Sequence, residues 1–281
     1  MLFRTLSIFL VTFLCASHLS AKPKRTTITE EKPIQFAIVI PSYNNERWVV
    51  KNLESVFCQT YPHWHLYYVN DCSKDRTWDI TVNTVRSSGF SHKCTLINNP
   101  VRKGCPLANH YAVINSLAPT DVVVCLDGDD QLLDSKVLEY LASVYTNPNV
   151  WVTYGSFVSS DRRYKNICRP FPEQVMQKRS FRSYEWVSSH LKTFYAKLFQ
   201  NIRKEDLLWN GKFYTMSGDL AFMFCVLEQA AKGHIRFIQK PLYYYNINNP
   251  LNEFRVNKEL TLKLNKHIRN RPPYSPLKTL F

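Results

Sequence analysis

Short apolar runs alternate with longer amphipathic segments through the first half of the chain. The runs are rich in β-branched residues and end at polar loops, which predicts buried strands over residues 36–40, 65–69, 94–97 and 121–126. Between them, apolar residues recur at helical spacing and predict helices over residues 49–57, 75–86 and 106–117. This alternation indicates an α/β fold whose parallel strands are joined by right-handed crossovers.

The pattern changes after residue 133. It predicts a helix over 134–145, a strand over 151–155, a basic and aromatic helix over 183–199, and an apolar helix from Ser217 to about Gly233. A strand over 235–238 then leads into the run Pro-Leu-Tyr-Tyr-Tyr that ends at Tyr245. The last ~30 residues predict a weakly amphipathic helix within a basic tail.

The N-terminal segment has the layout of a targeting sequence. Arg4 precedes an apolar stretch over residues 6–16, and small residues and then a charged stretch follow it. The stretch is shorter than the ~20 residues that comfortably span a bilayer. We therefore expect residues 1–21 to be a signal peptide or a short membrane anchor, followed by a linker over 22–33. Either alternative predicts a protein of the secretory pathway or one associated with a membrane.

Charge and cysteine content narrow the function classes. The net charge is +14, and the basic residues are concentrated in residues 161–205 and 251–281. This excess suits an acidic partner, which could be a nucleotide phosphate, an anionic membrane surface or an acidic glycan. We do not expect nucleic acid, because no nucleic-acid-binding module accompanies the charge. None of the eight cysteines shows C-x-x-C spacing, which argues against a zinc site or a redox motif.

Polar side chains cluster where the predicted strands end. Tyr43 and Asn44 follow the first strand, Asp71 follows the second, and Asp127 and Asp129 follow the fourth. In open parallel sheets, ligands bind beyond the carboxyl ends of the strands, so these residues should share one crevice. Two carboxylates one residue apart suit a divalent cation such as Mn²⁺ or Mg²⁺. The alternative is an acidic surface turn without a ligand.

Several motifs resemble those of a known family. In chain order they are IVIPSYNNE from Ile38, LESVF from Leu53, QTY from Gln59, NDCSKDRT from Asn70 and DGDD from Asp127. Their order and spacing resemble the family 2 glycosyltransferases of the GT-A fold over roughly residues 34–250. The resemblance implies a Rossmann-like, mostly parallel sheet with flanking helices, and a helical lobe on the acceptor side.

The resemblance also implies a role for each candidate residue. Asp129 would ligate the Mn²⁺ or Mg²⁺, and Asp127 would hold the ribose or uridine of a nucleotide diphosphate-sugar. Tyr43 and Asp71 would flank the nucleobase. The remaining residues assigned to the donor site are Pro41, Asn44 and Lys103. Pro41 fixes the exit from the first strand, and Lys103 or its neighbour Arg102 would contact the diphosphate.

The resemblance places a catalytic base at Asp219. This carboxylate lies at a predicted helix start, where the helix dipole favours negative charge. It would accept a proton from the acceptor hydroxyl. One base without an evident nucleophile implies single displacement with inversion. The chain departs from the family where cations are common, because it carries Asn109, Asn246 and Asn248.

Together these features predict two functional halves. Residues 34–132 should bind the nucleotide-sugar, residues 133–250 should bind the acceptor and carry catalysis, and residues 251–281 form the basic C-terminal tail. The expected activity is metal-dependent, inverting transfer from a nucleotide diphosphate-sugar, with UDP-sugar the first candidate, to a hydroxyl of a glycan, lipid or protein. The alternatives are a catalytically silent GT-A-fold protein that binds a nucleotide or glycan and, more remotely, a nucleotidyltransferase.

Overall fold

One large sheet organises the described part of the chain, which comprises residues 32–161, 163–250 and 257–281 of a computed structural model. The strands are β1 Phe36–Ser42, β2 Trp64–Asn70, β3 Cys94–Asn98, β4 Val122–Cys125, β5 Gln131–Leu132, β6 Val152–Ser159, β7 Lys192–Tyr195, β8 Leu208–Trp209, β9 Lys212–Phe213 and β10 Ile235–Tyr245. The helices are α1 Val49–Phe57, α2 Thr77–Ser87, α3 Pro106–Ile114, α4 Val137–Tyr145, α5 Glu173–Lys178, α6 Ala196–Gln200, α7 Gly218–Gln229 and α8 Lys258–Arg269. The α/β alternation predicted for the first half is confirmed.

The strands of the large sheet follow the order β3-β2-β1-β4-β7-β6-β10-β5, and β8 and β9 form a separate hairpin. Four of the seven pairings described in the large sheet are parallel. β7 runs antiparallel to both β4 and β6, so the start of β7 lies beside the end of β4. The ends of five strands and the start of β7 therefore lie together at one end of the sheet, which we call the functional edge. The five strands are β1, β2, β4, β6 and β10.

Helices cover both faces of the sheet. Every residue of β1 and β4 is buried, as expected for central strands with helices on either side. On one face the core contains side chains of α3, α6, α7 and α8, and on the other it contains those of α1 and α4. α7 is buried all round from Leu220 to Gln229, which explains its almost unbroken apolar sequence.

The helix predicted over residues 183–199 is wrong. The segment contains a short 3₁₀ turn at Phe181–Ser183, an extended stretch, strand β7 and the start of α6. The strand forms because β4 and β6 offer hydrogen-bonding edges on either side of it. Such long-range pairing overrides a weak local preference for helix. The formation of this strand changes the site, because the start of β7 and the residues just before it lie at the functional edge.

The predicted C-terminal helix is present as α8 and packs against the domain. Leu264 and Ile268 on its inner face are each 1% exposed. The guanidinium of Arg182 donates to both carboxylate oxygens of Glu228 on α7, at 2.6 and 2.9 Å, and to the backbone carbonyl of Ile268 at 2.7 Å. These contacts tie α8 to the core through apolar burial and a buried ion pair.

The predicted targeting segment, residues 1–21, and most of its linker lie outside the described residues. Within the described ranges, no helix has the length and apolar character needed to cross a bilayer. The assignment of residues 1–21 therefore stays a prediction.

We predict that Leu264→Ala lowers the free energy of unfolding by about 2–5 kcal/mol, because it removes a fully buried side chain and leaves a cavity. The matched control is Leu262→Ala on the same helix, where the leucine is 60% exposed and the expected change is within about 0.5 kcal/mol. Urea unfolding followed by circular dichroism measures both. Equal effects of the two substitutions would contradict the packing of α8.

Candidate functional site

The acidic turn, Asp127 to Asp130, follows β4 at the functional edge of the sheet. The Asn52 side chain of α1 donates from Nδ2 to the backbone carbonyls of Asp127 and Asp130, at 2.9 and 2.8 Å. The backbone N–H of Asp130 also donates to the carbonyl of Asp127 at 3.1 Å. These bonds fix the turn, so its carboxylates are held in place before any ligand arrives.

Gly128 lets the turn approach the loop after β1. A Cβ atom at this position would lie 2.6 Å from Nδ2 of Asn45 and 2.7 Å from Oγ of Ser42, closer than real side chains come. Asn45 and Ser42 are themselves hydrogen-bonded to one another at 3.0 Å and are buried. The glycine of the motif is therefore required by the tight contact between two strand ends.

Asp130 is the most deeply buried carboxylate of the turn, at 1% exposure. Its Oδ2 accepts a hydrogen bond from the Tyr243 hydroxyl, and its Oδ1 accepts one from the backbone N–H of Asn246, both at 2.6 Å. The same hydroxyl accepts from the backbone N–H of Asp127 at 3.2 Å. Burial raises the pKa of Asp130 well above its usual range, and the charges of Asp129 and Asp127 raise it further.

Asp127, Asp130 and His190 form a candidate metal site among the described residues. One ligand atom from each lies within 4.8 Å of the others. The His190 ring stacks on Tyr243 with centroids 4.4 Å apart, and its buried Nδ1 has no hydrogen-bond partner within the described structure. Carboxylate oxygens and an imidazole nitrogen suit Mn²⁺. The residues therefore fit a divalent cation at this position.

Asp129, which the resemblance implied as the metal ligand, lies outside that group of three. Its Oδ2 accepts a hydrogen bond from Nδ2 of Asn249 at 2.7 Å. Burial, reinforced by the charge of Asp127, raises the pKa of Asp129 to about 6. Its role as a metal ligand stays a prediction, with Asn249 as the contact to be displaced.

Asp71, predicted to bind the nucleobase, is buried under the loop that follows β3. Its carboxylate accepts hydrogen bonds from the backbone N–H groups of Lys103 at 2.8 Å and Gly104 at 2.9 Å. A third bond comes from the Asn99 side chain at 2.9 Å. Lys103, predicted to contact the diphosphate, is thus placed beside Asp71 through its main chain.

Tyr43, the second residue predicted to flank the base, lies face to face with Arg102. The guanidinium carbon of Arg102 is 3.6 Å from the centre of the Tyr43 ring. Asn44 adopts a left-handed conformation, with φ of 53°, and its Oδ1 accepts from the backbone N–H of Lys74 at 2.9 Å. Pro41 lies within β1, opposite Val69 of β2. The predicted donor residues therefore gather at one edge, and Arg102 covers one ring face of Tyr43.

Asp219, the predicted base, lies in the first turn of α7 with its side chain 34% exposed. Its Oδ2 is 3.7 Å from Nζ of Lys192, which is the first residue of β7 and is 4% exposed. Burial raises the pKa of Asp127; the Lys192 ammonium opposes that rise, and the charge of Asp219 adds to it. The predicted base, the acidic turn and a buried cation therefore interact electrostatically with one another.

Sequence reasoning missed His190 and Lys192 because both fall in the segment wrongly predicted as helix. The segment His190-Leu-Lys-Thr-Phe194 does not alternate polar and apolar residues, so the local sequence carries no strand signal for β7. Asp130 was visible in the motif but had no assigned role, and Asn249 carried no local signal at all. Its contact with Asp129 arises only from the path of the chain after β10.

Residues 37–225 match a family profile that is described as Glycosyl transferase family 2. A relative from Escherichia coli, a UDP-Glc:α-D-GlcNAc-diphosphoundecaprenol β-1,3-glucosyltransferase, is 30% identical over 122 residues, which are 43% of this chain and 45% of the relative. The chain spans 37% to 45% of the length of three curated relatives that it matches.

Two solved structures share the fold at low sequence identity. S. aureus TarS 1–349 with UDP-GlcNAc has a TM-score of 0.59 at 17% identity, covering 77% of this chain and 59% of TarS. Glucosyl-3-phosphoglycerate synthase from Mycobacterium tuberculosis, with Mn²⁺, UDP and glucosyl-3-phosphoglycerate, has a TM-score of 0.57 at 13% identity, covering 85% and 81%. The GT-A fold implied by the motifs is thereby confirmed.

We predict that His110 on α3 contributes a loss of stability as the pH falls from about 6.5 to about 4, against the opposite contribution of carboxylates whose pKa is raised. Burial, together with the Lys192 charge, lowers the pKa of His110 to about 4. The unfolded chain therefore binds a proton in this window that the folded chain does not, and stability falls by up to about 3 kcal/mol. Urea unfolding at several pH values measures this loss.

His110→Gln should flatten that pH dependence, because the variant has no imidazole to protonate at this site. His92→Gln, at an exposed position, is the control and should leave the dependence unchanged. An unchanged slope in His110→Gln would contradict the prediction.

Proposed function

The chain belongs to glycosyl transferase family 2, and we propose that it transfers a sugar from a UDP-sugar to a hydroxyl group, with inversion, in a metal-dependent reaction. The observation that carries this proposal is the position of Asp219. It is a partly exposed carboxylate at a helix N-terminus, electrostatically coupled to the acidic turn that ends β4. The UDP-sugar in TarS and the UDP and Mn²⁺ in the mycobacterial synthase support the choice of donor and cation.

The chain's own residues divide the work between binding and proton transfer. Tyr43 and Asp71 border the nucleobase, and the acidic turn faces the diphosphate. Asp219 accepts the proton of the acceptor hydroxyl while its oxygen attacks the anomeric carbon from the side opposite the diphosphate. The C–O bond to the sugar forms as the bond to the diphosphate breaks, and the nucleotide leaves with the electron pair.

A divalent cation would be held by Asp127, Asp130 and His190, and Asp129 is the further candidate from the resemblance. When bound, Mn²⁺ or Mg²⁺ supplies positive charge to the diphosphate as negative charge develops on it. Asp130 and His190 are buried, and the exclusion of water around them strengthens such interactions.

A hydroxyl of a glycan, lipid or protein serves the chemistry equally well, and the printed name of the E. coli relative supports a lipid-linked glycan. We further propose that residues 1–21 bring the chain to the secretory pathway or a membrane, where the basic surface would face anionic lipid. Fractionation of cells expressing the full chain or a chain starting at Lys22 would decide the role of this segment.

We predict that Asp219→Asn lowers kcat by a factor of about 10²–10⁴, the usual contribution of a general base. Binding of the UDP-sugar should stay within about threefold, because the base contacts the acceptor side. The matched control is Asp79→Asn, which changes an exposed carboxylate in the first turn of α2 and should leave transfer intact. Calorimetric titration with UDP-sugar and a transfer assay are the two measurements, and NMR of the product reports the anomeric configuration.

Three results would oppose this reading. Transfer by Asp219→Asn at a near-normal rate would remove Asp219 from the mechanism, and a retained anomeric configuration would exclude inversion. Binding of nucleotide by the unchanged protein without transfer from any donor would favour the silent binding protein, for which the asparagines at 246 and 248 already argue.

We predict that excess EDTA abolishes transfer and that Mn²⁺ restores it. His190→Gln should weaken Mn²⁺ binding by about tenfold or more if the group of three holds the ion, because one of its three ligands is lost. Asp129→Asn should weaken it comparably if the resemblance is right. Calorimetric titration of Mn²⁺ into each variant distinguishes the two ligand sets, and full activity in EDTA would contradict metal dependence.

A further inference from the structure

Lys192 is a buried cation at the functional edge. Lys192 is the first residue of β7 and only 4% of it is exposed. It pairs with Cys125 of β4, and Cys125 lies two residues before Asp127 in the chain. The antiparallel pairing of β7 with β4 fixes the backbone of Lys192, so the side chain starts from a rigid position in the sheet.

The ammonium of Lys192 has charged partners but no hydrogen-bond acceptor among the described residues. Its Nζ is 3.7 Å from Oδ2 of Asp219, within ion-pair distance and beyond that of a hydrogen bond. The negative charges of Asp219 and Asp127 both act on this ammonium. The lysine is therefore attracted to carboxylates on two different elements.

Stability alone does not call for a lysine here. An ammonium taken out of water loses solvation that an ion pair often fails to recover, and apolar residues frequently serve as well in such positions. The ion pair does restrict the Asp219 side chain, one third of which remains exposed. A carboxylate that must meet an incoming hydroxyl in one orientation benefits from that restriction.

We propose that Lys192 is a positioning residue that holds the Asp219 carboxylate in place for proton transfer. This inference rests on the proposed function of Asp219 as the base. It assigns Lys192 an effect on kcat through Asp219, and not a direct contact with the donor.

A double-mutant cycle tests the proposal through kcat and the KM for donor. Lys192→Met should lower kcat by about 10- to 100-fold and leave KM for the UDP-sugar within about threefold. In an Asp219→Asn background, the same change should lower kcat by less than threefold, because the residue through which it acts is already lost. Lys192→Arg should recover at least part of the lost rate, since it keeps the charge.

Stability provides a readout that needs no activity. Lys192→Met should lower the unfolding midpoint, and adding Asp219→Asn should reverse part of that shift by removing an uncompensated carboxylate. The control is a cycle of Lys192→Met with Asp79→Asn, which should be additive.

The outcomes separate this inference from the proposed function. Equal kcat losses from Lys192→Met in both backgrounds, or a donor KM that rises while kcat holds, would overturn positioning, the latter in favour of a donor contact. Additive unfolding midpoints for Lys192 and Asp219 would overturn the ion pair itself, even in a protein without transferase activity. An unchanged protein that transfers no sugar would overturn the proposed function and, with it, the assignment of Asp219 as a base.

Discussion

Negative charge buried at the end of β4 must be compensated within the protein, because a carboxylate removed from water without partners is costly. The compensation comes from elements far away in the chain. Tyr243 and the backbone of Asn246 bond to Asp130 from the end of β10, and the positive charge of Lys192, at the start of β7, opposes the negative charge of Asp127. The later half of the chain thus completes an acidic turn contributed by the earlier half.

The polar groups of the predicted donor residues already have partners within the protein. The backbone after β3 bonds to the Asp71 carboxylate, and Arg102 covers one face of Tyr43. A nucleobase that stacks on this face must displace the guanidinium or stack outside it. Asp219, the proposed base, differs, because its carboxylate pairs with the Lys192 ammonium, accepts one hydrogen bond from the backbone N–H of Leu220 at 2.9 Å, and remains one third exposed. Without any ligand, Asp71 is therefore held by more hydrogen bonds than Asp219 is.

The strands and helices of the first half could be predicted because each one carries its own apolar period. The donor residues could be placed together because parallel strands end at a common edge. β7 could not be predicted in the same way, since its four residues, Lys-Thr-Phe-Tyr, carry no alternating pattern and become a strand only between β4 and β6. Contacts such as Asn249 with Asp129 depend on the path of the chain after β10, which no local pattern encodes.

The central position of β7 has a consequence for synthesis. β4 pairs with β1 on one side, but its other edge is filled by residues about 70 positions further along the chain. A nascent chain that has emerged only as far as α4 therefore presents the apolar strand Val122–Cys125 with one bare hydrogen-bonding edge, a template for wrong pairing with other chains. At ordinary translation rates of about 5–20 residues per second, that edge stays open for several seconds. During those seconds the growing polypeptide is exposed to wrong strand pairing.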